Sequence, residues 1–359
     1  MSENDEFQVY TPFRSVKDDD FLLENKLEVP AEVRALNILQ PLKFVPFLSK
    51  RPWGGKRLST ILGKKIPADE TIGESWEISG HSSAESLVKD GVLKGFKLND
   101  IMRIWGEKML GKDVKSAPDN IFPLLTKFID SNANLSVQVH PGDTLDEHGS
   151  VVAWGKTETW FIIDATADAY VYQGFTRDVT QQEVKERVEA GTIEEILHKI
   201  PVKAGDVVVN PATVVHSIGA GILLYEVQQV SDATYRLYDF GRKGRELHID
   251  EALQVMYLKQ GIPAESQQPK HLTGALTKLA ETEYFELFEI TVQHDRIISL
   301  TGLPTNKCYL THCVRGDAKL QAGEFAVDLR IGESALIPAC LTPLKSIAGT
   351  AKLILSVLK

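Results

Sequence analysis

The sequence predicts a mainly β protein, a β-sandwich or jelly roll with helical inserts, and three observations carry that expectation. Short runs rich in β-branched and aromatic residues recur at 122–128, 135–140, 159–164, 206–209, 214–218 and 222–230. Turn-forming residues bound them, as strands of a sandwich require. The helical pattern is confined to inserts that do not repeat. In the run Leu135-Ser136-Val137-Gln138-Val139-His140, apolar and polar residues alternate with the period of a strand that has one apolar face.

Taken in order, residues 1–40 are charged and irregular, with the run Lys17-Asp18-Asp19-Asp20 and a short helix expected over 29–39. They form an N-terminal extension with no chemistry assigned. A body over 41–260 follows. Within it, 98–111 reads as a helix, with Asn99 or Asp100 as N-cap, an apolar face of Ile101, Ile104 and Trp105, and Gly111 at the C-terminal turn. A second helical insert spans 180–200. Thr180 with Glu183 and Thr192 with Glu195 are potential capping boxes, Gly191 separates two helices and Pro201 closes the second. The composition of Gly261-Ile262-Pro263-Ala264-Glu265-Ser266-Gln267-Gln268-Pro269 predicts a linker over 261–283. Beyond it, 284–292, 308–314, 318–320 and 334–337 read as strands of a smaller β-domain, 284–359. Its His294 and His312 lack ligand partners at strand spacing, which predicts a metal-free domain.

Composition excludes several classes of function. A chain of 359 residues with 43% hydrophobic and 25% charged residues is that of an ordinary globular protein of two domains or three. A net charge of −9 argues against nucleic acid or an anionic membrane as main partner. Cys308, Cys313 and Cys340 are odd in number and lack a Cys-x-x-Cys spacing, as expected of reduced thiols in a cytoplasmic protein. The acidic start of the chain carries no apolar signal segment, and no apolar stretch has the length of a membrane span.

The chemistry concentrates in four segments. Ser136, Gln138 and His140 share one strand face, and a hydroxyl, an amide and an imidazole in a row are costly to bury without partners. Lys156 and Glu158 share a face in the next strand-like run. His216 lies in the turn-bounded stretch 211–219, and Glu226, Asp232 and Arg236 follow closely. Gln138, His140, Glu158 and His216 together offer two nitrogen and two oxygen donors. That set suits zinc, or another first-row divalent ion, better than calcium or magnesium.

In wording and order these segments resemble the type I mannose-6-phosphate isomerases, zinc enzymes built on cupin jelly rolls, in their shorter bacterial form. The resemblance rests on Ser136-Val137-Gln138-Val139-His140-Pro141-Gly142-Asp143, on Lys156-Thr157-Glu158, and on the later His216, Glu226, Ser231-Asp232 and Arg236. Trp53-Gly54-Gly55 and Gly73-Glu74-Ser75-Trp76-Glu77-Ile78 add to it. Two departures stand out. Thr157 replaces a usual proline, and Leu237-Tyr238-Asp239-Phe240-Gly241-Arg242 replaces the longer enzymes' Ala-Gly-Leu-Thr-Pro-Lys.

The resemblance implies a metal-dependent aldose–ketose isomerase that interconverts mannose 6-phosphate and fructose 6-phosphate through an enediol. It implies Gln138, His140, Glu158 and His216 as ligands of one zinc per chain. Arg236 would then face the substrate oxygens. Lys156, Asp232 or Glu226 would transfer the proton, and Ser136, Lys127 and Glu226 would hold the phosphorylated hexose. It also implies a C-terminal domain of cupin type. Two other readings stand beside this one: a sugar-phosphate-binding protein that has lost its base, and an iron-dependent oxygenase.

Overall fold

A computed structural model describes residues 9–10, 39–114, 117–262, 270–273, 275–293, 298–300 and 302–359. The expected helix over 29–39 lies, except for Leu39, outside the described residues, and so does His294. The described chain is mainly β, as the sequence predicts. One sheet runs, in spatial order, Val9–Tyr10, Phe47–Ser49, Glu74–Ser79, Leu124–Ser131, Ile222–Gln229, Glu158–Ala165 and Val207–Asn210. A second runs Leu197–Pro201, Tyr170–Phe175, His216–Ile218, Val137–Val139 and Tyr235–Tyr238. Val9–Tyr10 pairs in parallel with Phe47–Ser49, whereas the central pairings of both sheets are antiparallel.

Strand alternation decides what each face of these sheets meets. Val137 and Val139 pack on the outer side of the second sheet against Val184 and Val188 of the helix Gln181–Glu189 and Ala252 and Leu253 of the helix Ile249–Val255. Gln138 and His140 therefore face inward. Trp160, Ile162 and Leu224 of the first sheet meet Leu135, Val171 and Ile218 between the two sheets. The opposite face of the first sheet presents Phe128, Phe161 and Tyr225 to Leu310 and Ile354 of a C-terminal sheet. The first sheet is thus a wall shared by two compartments.

The C-terminal sheet runs Lys270–Thr273, Leu276–Glu281, Phe285–Val292, Leu344–Leu358, Tyr309–Ala322 and Phe325–Arg330, with Ile298–Ser299 and Ser334–Ile337 pairing off that path. Two of its strands correct the sequence reading, because they lie inside the stretch 261–283 expected as linker. Leu276, Leu279 and Ala280 of that stretch are buried. The polar composition that suggested a linker belongs to 261–269, and the pattern changes after it. The runs 308–314 and 318–320 are one strand. Its register shifts between Cys313 and Arg315, and Gly316 takes φ +69° where a Cβ would meet the Thr350 carbonyl. A glycine that bends a strand without ending it reads as a turn in sequence.

The helical inserts also differ in detail. The first is two helices, Leu98–Trp105 and Glu107–Leu110, broken at Gly106 with φ +46°. Lys97, not Asn99 or Asp100, holds the N-cap position of the first, with no capping bond from its side chain. Asn99 instead joins two strands' ends: its Nδ2 donates to the Gly80 carbonyl and its Oδ1 accepts from Phe122 N, each at 2.8 Å. In the second insert Thr180 Oγ1 accepts from Glu183 N, as expected of a cap. Thr192 makes no such bond, however, and Ile193–Glu195 is a single 3-10 turn before the chain extends at Leu197.

Candidate metal centre

His140, Glu158 and His216 converge from both sheets, with ligand atoms within 4.8 Å of one another, and all three are buried. Among the described residues they are the one such group of histidine, cysteine and carboxylate side chains. Gln138 lies directly opposite His216 in the second sheet, which places both on its inner face. Glu158 opens the facing strand of the first sheet. Thr213, in the turn before His216, holds φ +72°, a strained value for a β-branched residue, and its N–H donates to the His140 carbonyl at 2.7 Å.

The hydrogen bonds fix which ring nitrogens point at the centre. His140 Nδ1 donates to the Ala233 carbonyl at 2.8 Å and His216 Nδ1 to the Val214 carbonyl at 2.9 Å. Both Nε2 atoms then carry lone pairs. They lie 3.5 Å and 3.2 Å from the two oxygens of Glu158, and Oε1 has no hydrogen-bond donor although it is buried. The Lys156 ammonium covers one side of this set, but His216 Nε2 and Glu158 Oε1 face each other with no proton between them, an arrangement that a further cation would relieve. The residues present therefore fit a divalent metal, and backbone carbonyls behind the imidazoles are the usual support of such ligands.

Electrostatics agree. Burial, and then the charge of Lys156, push His140 down to about 3, so its ring is neutral. His216 is lowered as well, chiefly by burial. Burial opposes ionisation of Glu158, but the Lys156 ammonium outweighs it and holds the carboxyl well below the usual range. The Lys156 ammonium contacts Glu158 Oε2 and lies 3.2 Å from His140 Nε2. Burial favours the neutral form of this lysine, yet Glu158, Glu226 and Glu74 together raise it.

Around the triad the other expected residues fall at different depths. Ser136 is buried with Oγ 3.4 Å from Gln138 Oε1, and the Gln138 amide nitrogen lies 3.4 Å from His216 Nε2. Lys127 Nζ lies 3.2 Å from Glu226 Oε1 and over the Trp76 ring, while Trp160 Nε1 donates to Glu226 Oε2 at 2.9 Å. Arg236 is the register partner of Gln138; its Nη1 donates to the Glu246 carbonyl and its Nε is buried without an acceptor. Asp239 does not bind it, being engaged by Arg242 and Arg245. Asp232 stands apart from the buried cluster, exposed, with its carboxylate 3.5 Å from His81 Nε2.

Sequence reasoning missed several neighbours. Glu74 is bound by Arg51 through two hydrogen bonds and by Trp76 Nε1, and none of the three was assigned a role. Their signal was present in the Gly73–Ile78 segment, whose alternation puts Glu74 and Trp76 on one face. His81 and Asp143 were missed too, and Asp232 beside His81, like Gln229 and Tyr284 bound to Asp143, lies far along the chain.

A buried two-histidine, one-carboxylate centre between antiparallel sheets defines a metal-binding enzyme scaffold of cupin type. The model of the phosphomannose isomerase type I catalytic domain matches residues 42–153. The mannose-6-phosphate isomerase ManA of Bacillus subtilis (strain 168) is 34% identical over 88% of this chain and 98% of its own length. The mannose-6-phosphate isomerase of Streptococcus mutans is 35% identical over 83% of this chain and 92% of its own. The crystal structure of mannose 6-phosphate isomerase from Bacillus subtilis superposes with a TM-score of 0.77, at 29% identity, over 89% of this chain and 99% of that one. The chain belongs to the type I mannose-6-phosphate isomerase family.

Proposed function

We propose that the chain interconverts mannose 6-phosphate and fructose 6-phosphate through an enediol, with one zinc ion per chain. The observation that carries this reading is the dry convergence of His140, Glu158 and His216, with Gln138 beside them, in a member of this family. A divalent ion held by these four side chains would supply a Lewis acid for the negative charge that develops on oxygen next to the labile C–H.

The chain's own residues do the rest. Arg236 projects from the strand beside Gln138 with an unused Nε, so its guanidinium can bind the sugar oxygens or the developing charge. Lys127 and Ser136, with Glu226 holding Lys127, bind the phosphorylated hexose from the inner faces of the two sheets. Lys156 and Asp232 are the proton carriers in this reading. Lys156 touches His140 and Glu158, whereas Asp232 is exposed beside His81. Among the described residues no helix is long and apolar enough to cross a membrane. A cytoplasmic setting is supported by three free thiols. Membership in the isomerase family does not favour the oxygenase and binding-only readings.

The test is fructose 6-phosphate formation from mannose 6-phosphate, with chelator-stripped protein before and after zinc is restored. Turnover that vanishes with the metal and returns with zinc is the expected outcome. Equal turnover in both samples would overturn the metal's role, and no turnover in either would overturn the substrate.

A further inference from the structure

His140 and Glu158 come from different sheets, and the chain between them leaves as a hairpin, Thr144–Leu145 paired with Val151–Ala153. Its tip is exposed, but its neck is pinched. A Cβ on Gly155 would lie 2.5 Å from Gly142 C, 2.6 Å from Pro141 O and 2.7 Å from Asp143 N, so the two arms touch backbone to backbone. Lys156 N donates to the Pro141 carbonyl at 3.2 Å across that contact.

One side chain ties the neck. Asp143 Oδ1 accepts from Gly155 N at 2.7 Å and from Gln229 Nε2 at 2.9 Å; Oδ2 accepts from Tyr284 Oη at 2.9 Å. Gln229 extends the tie, because its Oε1 accepts from Thr157 N at 2.8 Å. The residues flanking Lys156 on both sides are therefore held, directly or through one amide, by a single carboxylate three residues after His140. Tyr284 enters the strand Phe285–Val292 of the C-terminal sheet, and its ring lies 6.0 Å from that of Trp154.

We infer that Asp143 is a positioning residue that sets the separation of the Gln138–His140 and Lys156–Glu158 segments and that Tyr284 makes the C-terminal domain part of that setting. The inference rests on the metal-dependent isomerase reading for its effect on turnover, but not for its effect on the metal site. A charge-assisted knot of three donors holds more firmly than neutral bonds between the same strands would. Its removal would let the Glu158 strand drift against the His140 strand without deleting any ligand.

The experiment compares the wild-type chain with Asp143→Ala, Asp143→Asn and Tyr284→Phe. Zinc affinity is read by competition with a chromogenic chelator, amide exchange at 155–157 in metal-free protein, and kcat and KM for mannose 6-phosphate. Asp143→Ala should weaken zinc binding about 10- to 100-fold, the range for loss of a group that orients ligands. It should also speed exchange at Gly155 and Thr157 and lower kcat more than it raises KM. Asp143→Asn should recover most of each loss, since its amide oxygen still accepts and its nitrogen donates to Tyr284 Oη. Tyr284→Phe should fall between. Zinc affinity and exchange unchanged in Asp143→Ala would overturn the inference, as would an Asn variant as damaged as Ala. If Asp143→Ala does not fold, the ordering of Asp143→Asn and Tyr284→Phe below wild type in zinc affinity decides it. A wild-type chain that binds zinc but does not turn over mannose 6-phosphate would sink the isomerase reading alone, because affinity and exchange still report on the knot.

Discussion

At the scale of residues, the site is a set of charges that tolerate burial only together. Glu74 illustrates the point. Burial alone would raise its carboxyl, but Arg51, Lys127 and the bonds from Arg51 and Trp76 bring it down to about 2, from an ordinary 4.5. A depressed carboxyl stabilises the fold above the unfolded pKa and loses that contribution as pH falls through the folded one. The Glu74 contribution, on the order of 3 kcal/mol, should therefore be complete at pH 6 and disappear between pH 4.5 and about 2. Glu74→Gln should melt at lower temperature near neutrality and converge on wild type at pH 2; parallel melting curves across that window would refute it. The strand that carries Gln138 was legible in sequence because alternation alone puts Gln138 and His140 on one face. Glu74 was not assigned a role, since Arg51 lies 23 residues away and nothing in a local pattern pairs them. The departure at Thr157 gains meaning only in three dimensions. Its N–H donates to Gln229 and its hydroxyl accepts from Ala212 N, and a proline could do neither.

Elements place these residues, and their ends were harder to read than their existence. Thr180 caps the helix Gln181–Glu189, which covers the outer face of the sheet that carries His216. Thr180→Ala should cost about 1 kcal/mol of stability with little change in turnover. Urea unfolding together with the isomerase assay checks this, and a large loss of kcat would mean that the helix does more than cover the sheet. The second expected capping box failed because Thr192 and Glu195 sit on one 3-10 turn, too short for an N-terminal donor row. Gly106 and Gly316 misled in opposite senses. One breaks a helix read as continuous, and the other carries a strand through a site read as a gap.

On the scale of the whole molecule, the first sheet meets the C-terminal sheet in a buried contact. A polar chain crosses it. Lys64 Nζ and Ser75 Oγ donate to Glu77 Oε1, each at 2.6 Å, and Ser334 Oγ donates to Glu77 Oε2 at 2.9 Å. Ser334 in turn meets His312 Nδ1 at 2.8 Å, and the His312 ring packs against Phe128 and Tyr225. His312 is thus buried in the core between the sheets. Glu77→Ala would leave the Lys64 ammonium, whose side chain is 8% exposed, without its carboxylate. It should destabilise the chain by about 3 kcal/mol, the low end for breaking a buried pair. A urea midpoint within error of wild type would count against this account. The sequence placed a further group of strands after the first. It did not show which residues seal the two together, because Glu77 and Ser334 are 257 positions apart.

The shared wall has a further consequence, for how the gene can change length. Along its strands, consecutive residues serve different compartments: Lys127 and Phe128, Tyr225 and Glu226, Trp160 and Phe161 stand back to back. Losing or gaining one codon in any of these strands would exchange the two faces over the rest of the strand, sending aromatic rings toward the histidine–carboxylate centre and charges into the seam with the C-terminal sheet. The exposed tip of the hairpin at 146–150 carries no such constraint. Length variation among natural descendants of this chain should collect at that tip and avoid the wall.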